Sequence, residues 1–162
     1  GHAMAAGVTL RKERLQEFRA FLENALKESV ARARGNSDLK IDGVLLAKAV
    51  TAGLVHEMSR AGPFGAGNAE PVVALPAHEI VYAEEVGQAH VRLRLRGGDG
   101  ANVNAIAFRA AGQKLGHALL DNRGQRVHVA GTLSIDRWQG NERVQMRVID
   151  MALPVQGPTY IR

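Results

Sequence analysis

The sequence predicts an α+β chain in which a helical first third leads into a small, mostly β barrel. Apolar residues recur at three- and four-residue steps as far as Arg60, and from Pro71 onward they alternate with polar ones. Where the period changes, the run AGPFGAGNAEP from Ala61 to Pro71 is so rich in Gly and Pro that neither a regular helix nor a central strand can pass through it. A length of 162 residues with 46% apolar content fits one ordinary domain or two small ones, each with a packed core.

In the helical part, Leu15, Phe18, Phe21, Leu22, Ala25, Leu26 and Val30 share one side, with Arg11, Glu13, Glu17, Glu23, Lys27 and Glu28 between them. This spacing predicts a long amphipathic helix from Thr9 to Arg34, capped by Thr9 and stopped at Gly35. LKIDGVLL reads as a short strand and turn, and TAGLVHEMSRA as a second, shorter helix. HEIVYAEEV, HVRLRLR, NVNAIAFR, RVHVAGTLSIDRW and ERVQMRVIDMAL follow as five strands. GGDG at Gly97–Gly100 and WQGN at Trp138–Asn141 supply hairpin chemistry, while Leu115, Leu119 and Leu120 sit at helical spacing between the third and fourth strands. Three strands, a helix and two further strands is the order of an OB-fold, whose ligand face lies on its second and third strands.

The composition narrows the function classes. Lys plus Arg exceeds Asp plus Glu by five, and 16 of the 21 basic residues are Arg, the side chain whose fork suits phosphate. An anionic partner is thereby permitted, although a basic excess is also the mark of a solvated surface. The absence of Cys excludes a disulfide framework and a thiolate zinc site, and suits the cytoplasm. No segment approaches the roughly 20 apolar residues of a membrane helix, and there is no signal peptide.

Three segments carry a family resemblance. GHAMAAGVTL at the start, PFGAGNAEP at the joint, and AIAF with DRWQG and VQMRVID in the last strands resemble the C-terminal part of RecJ-type single-stranded-DNA-specific exonucleases of the DHH phosphoesterase superfamily. The likeness spans almost the whole chain. It implies residues 1–62 as the end of a DHHA1 domain with its linking helix, 63–70 as a joint, 71–155 as an OB-fold and 156–162 as a tail. Asp136 departs from the family's Asn before the Arg-Trp pair. Only Gly1 and His2 remain of the family's glycine–histidine motif, where the His would donate to a phosphate oxygen of the substrate. GHAM can alternatively be read as a vector scar left by protease cleavage.

The parent, as the resemblance implies, degrades single-stranded DNA from its 5′ end with Mn²⁺ or Mg²⁺ held by a DHH domain that this chain lacks. Catalytic and metal residues are therefore expected to be absent here, and the six His show no metal-binding spacing. The joint follows a helix and precedes a strand, the reverse of a phosphate loop, so its glycines are expected to shape a connection with Phe64 as a buried pin.

Function then rests on the barrel surface. Alternation along HVRLRLR puts Val91, Leu93 and Leu95 inside and Arg92, Arg94 and Arg96 outside. On the third strand, bulk suggests Ile106 and Phe108 inside and Ala105, Ala107 and Arg109 outside. At the last turn, Arg137 and Arg143 flank Trp138, which is either a platform for a base or a plug that closes the barrel. The expected partner is single-stranded DNA. The alternative is a docking module with little DNA affinity of its own, packing on the rest of the same enzyme or receiving an acidic-tailed single-strand-binding protein or another repair protein, and an exposed apolar helix face would also favour self-association.

Overall fold

The computed structural model describes residues 7–35, 38–138 and 141–155. The chain divides into two compact units, Gly1–Leu39 and Lys40–Arg162. In the first, a 3-10 turn at Lys12–Arg14 leads into helix α1, Leu15–Gly35. The helix thus starts later than the sequence predicts. Thr9 does not cap it; Arg11 is extended at the start, with no side-chain cap, and the first turn is held by a two-pronged Arg14–Glu17 pair. Phe21, Leu22, Leu26 and Val30 are exposed along α1, and Phe18 is half-buried.

The second unit begins with the two-residue strand β1, Gly43–Val44, which runs parallel to strand β2, Val73–Val86. Asp42 fastens this pairing from both ends: its backbone N–H donates to Val72 O at 2.8 Å, and its carboxylate accepts from Val72 N at 2.9 Å. Helix α2, Ala52–Ser59, is capped by the Thr51 hydroxyl, which accepts from Leu54 N at 3.2 Å. Both elements precede the Gly/Pro run yet belong to the barrel unit, so the compact boundary falls near Leu39, upstream of the expected joint.

The joint itself is a tight hairpin between Gly65 and Asn68, pinned by the Asn68 amide, which donates to Ala61 O and Pro63 O. Gly67 there has a φ of 84°, open to Gly at no steric cost. Phe64, the expected buried pin, is only half-buried; Asn68 does the fastening.

The remaining strands are β3 (His90–Arg96), β4 (Asn102–Ala107), β5 (Arg126–Trp138) and β6 (Asn141–Ala152), with helix α3 (Lys114–Asp121) between β4 and β5. Their order β2-β3-β4-β6-β5, with β5 returning to β2, closes a five-stranded barrel in which only β4 and β6 are parallel. Closure leaves no free edge among these five strands. The core is Leu75, Ile80, Leu93, Leu95, Val127, Val129 and Met146, with Leu119 of α3 set into it. At the β3–β4 turn the Asp99 carboxylate accepts from Ala101 N and Lys48 N, so one side chain shapes the hairpin and ties it to the segment before α2.

Gly131 marks the tightest point of the wall. The β5–β6 register shifts between Ala130 and Gly131, and a Cβ on Gly131 would lie 2.0 Å from Arg147 O. Gly131→Ala is therefore expected to lower the unfolding free energy by about 1 to 3 kcal/mol, the usual cost of overpacking. Gly43→Ala, whose Cβ would meet nothing within 4 Å, is the control and should leave a urea melt almost unmoved.

Candidate nucleic-acid interface

Strand β3 alternates as its sequence demands: Val91, Leu93 and Leu95 are buried, and Arg92, Arg94 and Arg96 are exposed. On its left neighbour, β2, the register slips between Ile80 and Tyr82, so that Ile80 pairs with Leu95 but Tyr82 pairs with Arg94. This bulge at Val81 turns Tyr82 and Glu84 onto the same outer face as the arginines. Tyr82 and Glu84 were not legible as site residues, because a bulge leaves no mark in a period-two pattern.

On the other neighbour, β4, the expected orientation is reversed. Ala105 and Ala107 are buried, Phe108 is 51% exposed, and Ile106 is half-buried. Pairing decides this: Ala105 lies opposite Leu93 on β3 and Met146 on β6, both buried, so the interior volume is filled from the neighbouring strands and only a small side chain fits between them. Arg109 is exposed, but it sits past the end of β4 at a φ of 54°.

These strands form an open groove of about 520 Å³ whose lining includes Tyr82, Arg92, Arg94, Asn104, Arg143 and Gln145. Of the three arginines of β3, Arg92 and Arg94 line it and Arg96 lies beyond it. Arg92 is paired with Glu84, whose carboxyl is held below its ordinary value first by the Tyr82 hydroxyl and then by the Arg92 guanidinium. Because that shift is downward, the pair persists in weakly acidic solution and is lost only as pH falls through the lowered value. Arg94, Arg96, Arg143 and Arg147 form no ion pair among the described residues, leaving their charge available to an anion. The side chains of Arg137 and Trp138 lie outside the described residues, as do Gly1 and His2 entirely; the Trp138 backbone ends β5 opposite Asn141.

Among the described residues, no three His, Cys, Asp or Glu side chains gather in a group able to hold a metal ion. His78 is the one buried imidazole with a free atom: its Nδ1 donates to Pro76 O at 2.9 Å, and its Nε2 has no hydrogen-bond partner. No described helix is long and apolar enough to cross a membrane.

Residues 41–150 match the family described as RecJ OB domain. The chain is 24% identical over 155 residues to the single-stranded-DNA-specific exonuclease RecJ of Bacillus subtilis, and 27% identical over 158 residues to that of Escherichia coli. These alignments cover 94% and 96% of this chain but only 19% and 26% of the relatives, so the chain spans about a quarter of their length or less. Crystal structures of RecJ from Thermus thermophilus in complex with Mg²⁺ and with Mn²⁺ superpose with a TM-score of 0.53 at 26% identity, over 82% and 83% of this chain and 20% of theirs.

The Glu84–Arg92 pair makes the electrostatics of the face adjustable. Glu84→Gln releases Arg92, and the variant is expected to elute from a heparin column at higher salt than the wild type. Glu85→Gln makes the same change in net charge without unmasking an Arg, since Glu85 forms no ion pair among the described residues, and should shift the elution less.

Proposed function

The chain belongs to the RecJ OB-domain family, and from that premise we propose that it is the single-stranded-DNA-binding accessory region of a RecJ-like 5′-to-3′ exonuclease, a cytoplasmic enzyme of DNA repair and recombination. The observation that carries this reading is the outer face of β3, β4 and β6, where Arg94 and Arg143 line an open groove with Asp136, Arg96 and Arg147 stand exposed on the same strands, and none of the four arginines forms an ion pair among the described residues. Guanidinium groups so arranged hold a phosphate backbone without regard to sequence. Tyr82, 42% exposed on the same face, offers a ring on which a base can stack.

The hydrolytic metals, Mn²⁺ or Mg²⁺, fall to a DHH domain whose motif this sequence does not contain. The described residues do not fit a two-metal site, so no catalytic step is assigned to them. Residues 1–62 are read as the end of a DHHA1 domain with its linking helix, of which only the stretch to Leu39 lies outside the compact unit of the barrel. A cationic face with few aromatics also suits an acidic peptide, such as the tail of a single-strand-binding protein, and this docking role is the second reading.

Fluorescence anisotropy with labelled single-stranded DNA, duplex DNA and an acidic peptide, each over a salt series, tests both. Preference for the single strand is expected, and replacing Arg94, Arg96 and Arg143 with Ala should flatten the log–log salt dependence by about 0.7 per lost phosphate contact. With Mn²⁺ or Mg²⁺ added, the labelled strand should stay intact. Displacement of DNA by peptide, with the peptide the tighter ligand, would favour docking.

Phe21, Leu22, Leu26 and Val30 form an apolar stripe on α1 that is exposed to solvent. In the parent it would be covered by neighbouring DHHA1 structure; in this chain alone it is expected to drive concentration-dependent association. Sedimentation should show larger species as concentration rises, and Leu22→Glu with Leu26→Glu should return the chain to monomer.

A further inference from the structure

We propose that Phe108 is a second base-stacking station, at which an unpaired nucleobase of single-stranded DNA enters between the Phe108 ring and the Arg147 guanidinium while Arg109 takes the adjoining phosphate; this rests on the single-strand reading above and extends it beyond the groove. Phe108 is the first residue past β4 and continues its outward row, 51% exposed. The His90 ring meets it at 75° with centroids 5.1 Å apart, and the Arg147 guanidinium carbon lies over it at 5.8 Å. A base held between ring and guanidinium needs two van der Waals separations, about 7 Å in all. An exposed arginine with no ion pair reaches that by moving about 1 Å, which its flexible stem allows at little cost. Nucleobases stack on aromatic rings and on guanidinium planes alike, so the pair makes a two-sided slot.

The corner that carries the ring is built rather than casual. Arg109 holds a φ of 54°, a conformation uncommon for any residue with a side chain, and non-glycine residues kept there cluster at ligand sites. Two hydrogen bonds impose it: Arg109 N donates to His90 Nδ1 at 3.0 Å, and Ala111 N donates to Ala89 O at 3.1 Å. The first of these also fixes the His90 ring that stands against Phe108. Gly would adopt this backbone without strain, so the Arg side chain is what its presence supplies.

The station and the groove lie on one continuous surface. Phe108 follows the outward Asn104 by four residues along one strand line, about 13 Å at 3.3 Å per residue. A single strand crossing the groove at Arg94 and Asn104 therefore reaches Phe108 by following β4, with Arg147 on β6 alongside it opposite Ile106.

The test uses the whole 162-residue chain and fluorescein-labelled oligothymidylate. Phe108→Leu should weaken binding about tenfold without changing the salt dependence, since no charge is lost, and Phe108→Tyr should restore it. Arg109→Gly should preserve or raise the melting temperature yet flatten the log–log salt slope by about 0.7. An abasic site walked along the oligonucleotide should weaken wild-type binding at the position that reaches Phe108, and this penalty should vanish in Phe108→Leu. If Phe108→Leu binds like the wild type while Arg94→Ala is weakened, the station is overturned and the cationic groove stands. If the wild type binds no single strand, both fall. Should Phe108→Leu prove unfolded, the abasic walk is run on Tyr82→Leu instead: a base-dependent position that survives the loss of the Tyr82 ring supports the station, and none overturns it.

Discussion

Because β4 is antiparallel to β3 on one side and parallel to β6 on the other, Ala105 is opposed at once to Leu93 and to Met146, and the wall can close only if its own side chain is small. The same crowding recurs at Gly131, where β5 and β6 approach so nearly that a methyl group would strike the Arg147 carbonyl. Closure therefore draws the bulk of the core from β2, β3, β5 and β6, while β4 contributes Val103 and two alanines, Ala105 and Ala107. With the interior filled to crystal-like density from the other strands, β4 has no freedom to turn a large side chain inward at Ala105 or Ala107. Ile106 and Phe108 are pushed to the outer face as a consequence, and the character of that face follows from how the inside is packed.

On the outer face, cross-strand register decides which charges remain available. Arg92 is opposite Glu84, but Arg94 is opposite Tyr82, and Arg96 sits opposite Glu79 with no ion pair formed. Exposed pairs of this kind contribute about 0 to 1 kcal/mol to stability, so the role of Glu84 lies in where an anion goes rather than in holding the barrel together. It neutralises the β3 arginine nearest Phe108 and leaves Arg94 as the unmasked centre of the groove. A polyanion crossing this surface meets cations separated by neutral or paired positions, not an unbroken positive stripe.

How much of this was legible in the sequence depends on whether the determining contacts are local. HVRLRLR is a strand by its period alone, and its bounds and both its faces agree with the structure. The GGDG turn and the succession of three strands, a helix and two strands were likewise readable, because each is carried by a local pattern. The orientation of β4 was not, since bulk is a guide to burial only where no other strand has filled the space. The slip at Val81 that brings Tyr82 and Glu84 to the site, and the left-handed Arg109 that follows Phe108, are products of pairing with distant strands. Bulk also assigned Phe108 to the interior, although its ring stacks on a base as well as one with a polar tip. The Asn68 clamp of the joint was hidden for a different reason: an Asn in a Gly-rich run looks like turn chemistry, and its two carbonyl partners lie upstream at Ala61 and Pro63.

A surface of this kind has a kinetic character that fits the proposed role. Contacts to phosphate are individually weak, screened within about 10 Å at 0.1 M salt, and indifferent to base identity, so a strand can shift along them without a large barrier. Stacking on a ring is equally tolerant of sequence, because every base has a π-face, but it is discrete: a base is either in the slot or out of it. A face made only of arginines would let a strand slide with no preferred register, and one made of many aromatics would hold it too firmly to release. Among the described residues of this face, two exposed rings, Tyr82 and Phe108, with Arg94 and Arg147 free of ion pairs, lie between these limits. For an enzyme that removes nucleotides in succession, the strand must be retained through each cleavage and yet advance after it. A sparse set of stacking positions on a cationic path meets both requirements, since breaking one stack leaves the phosphate contacts in place while the next base moves in.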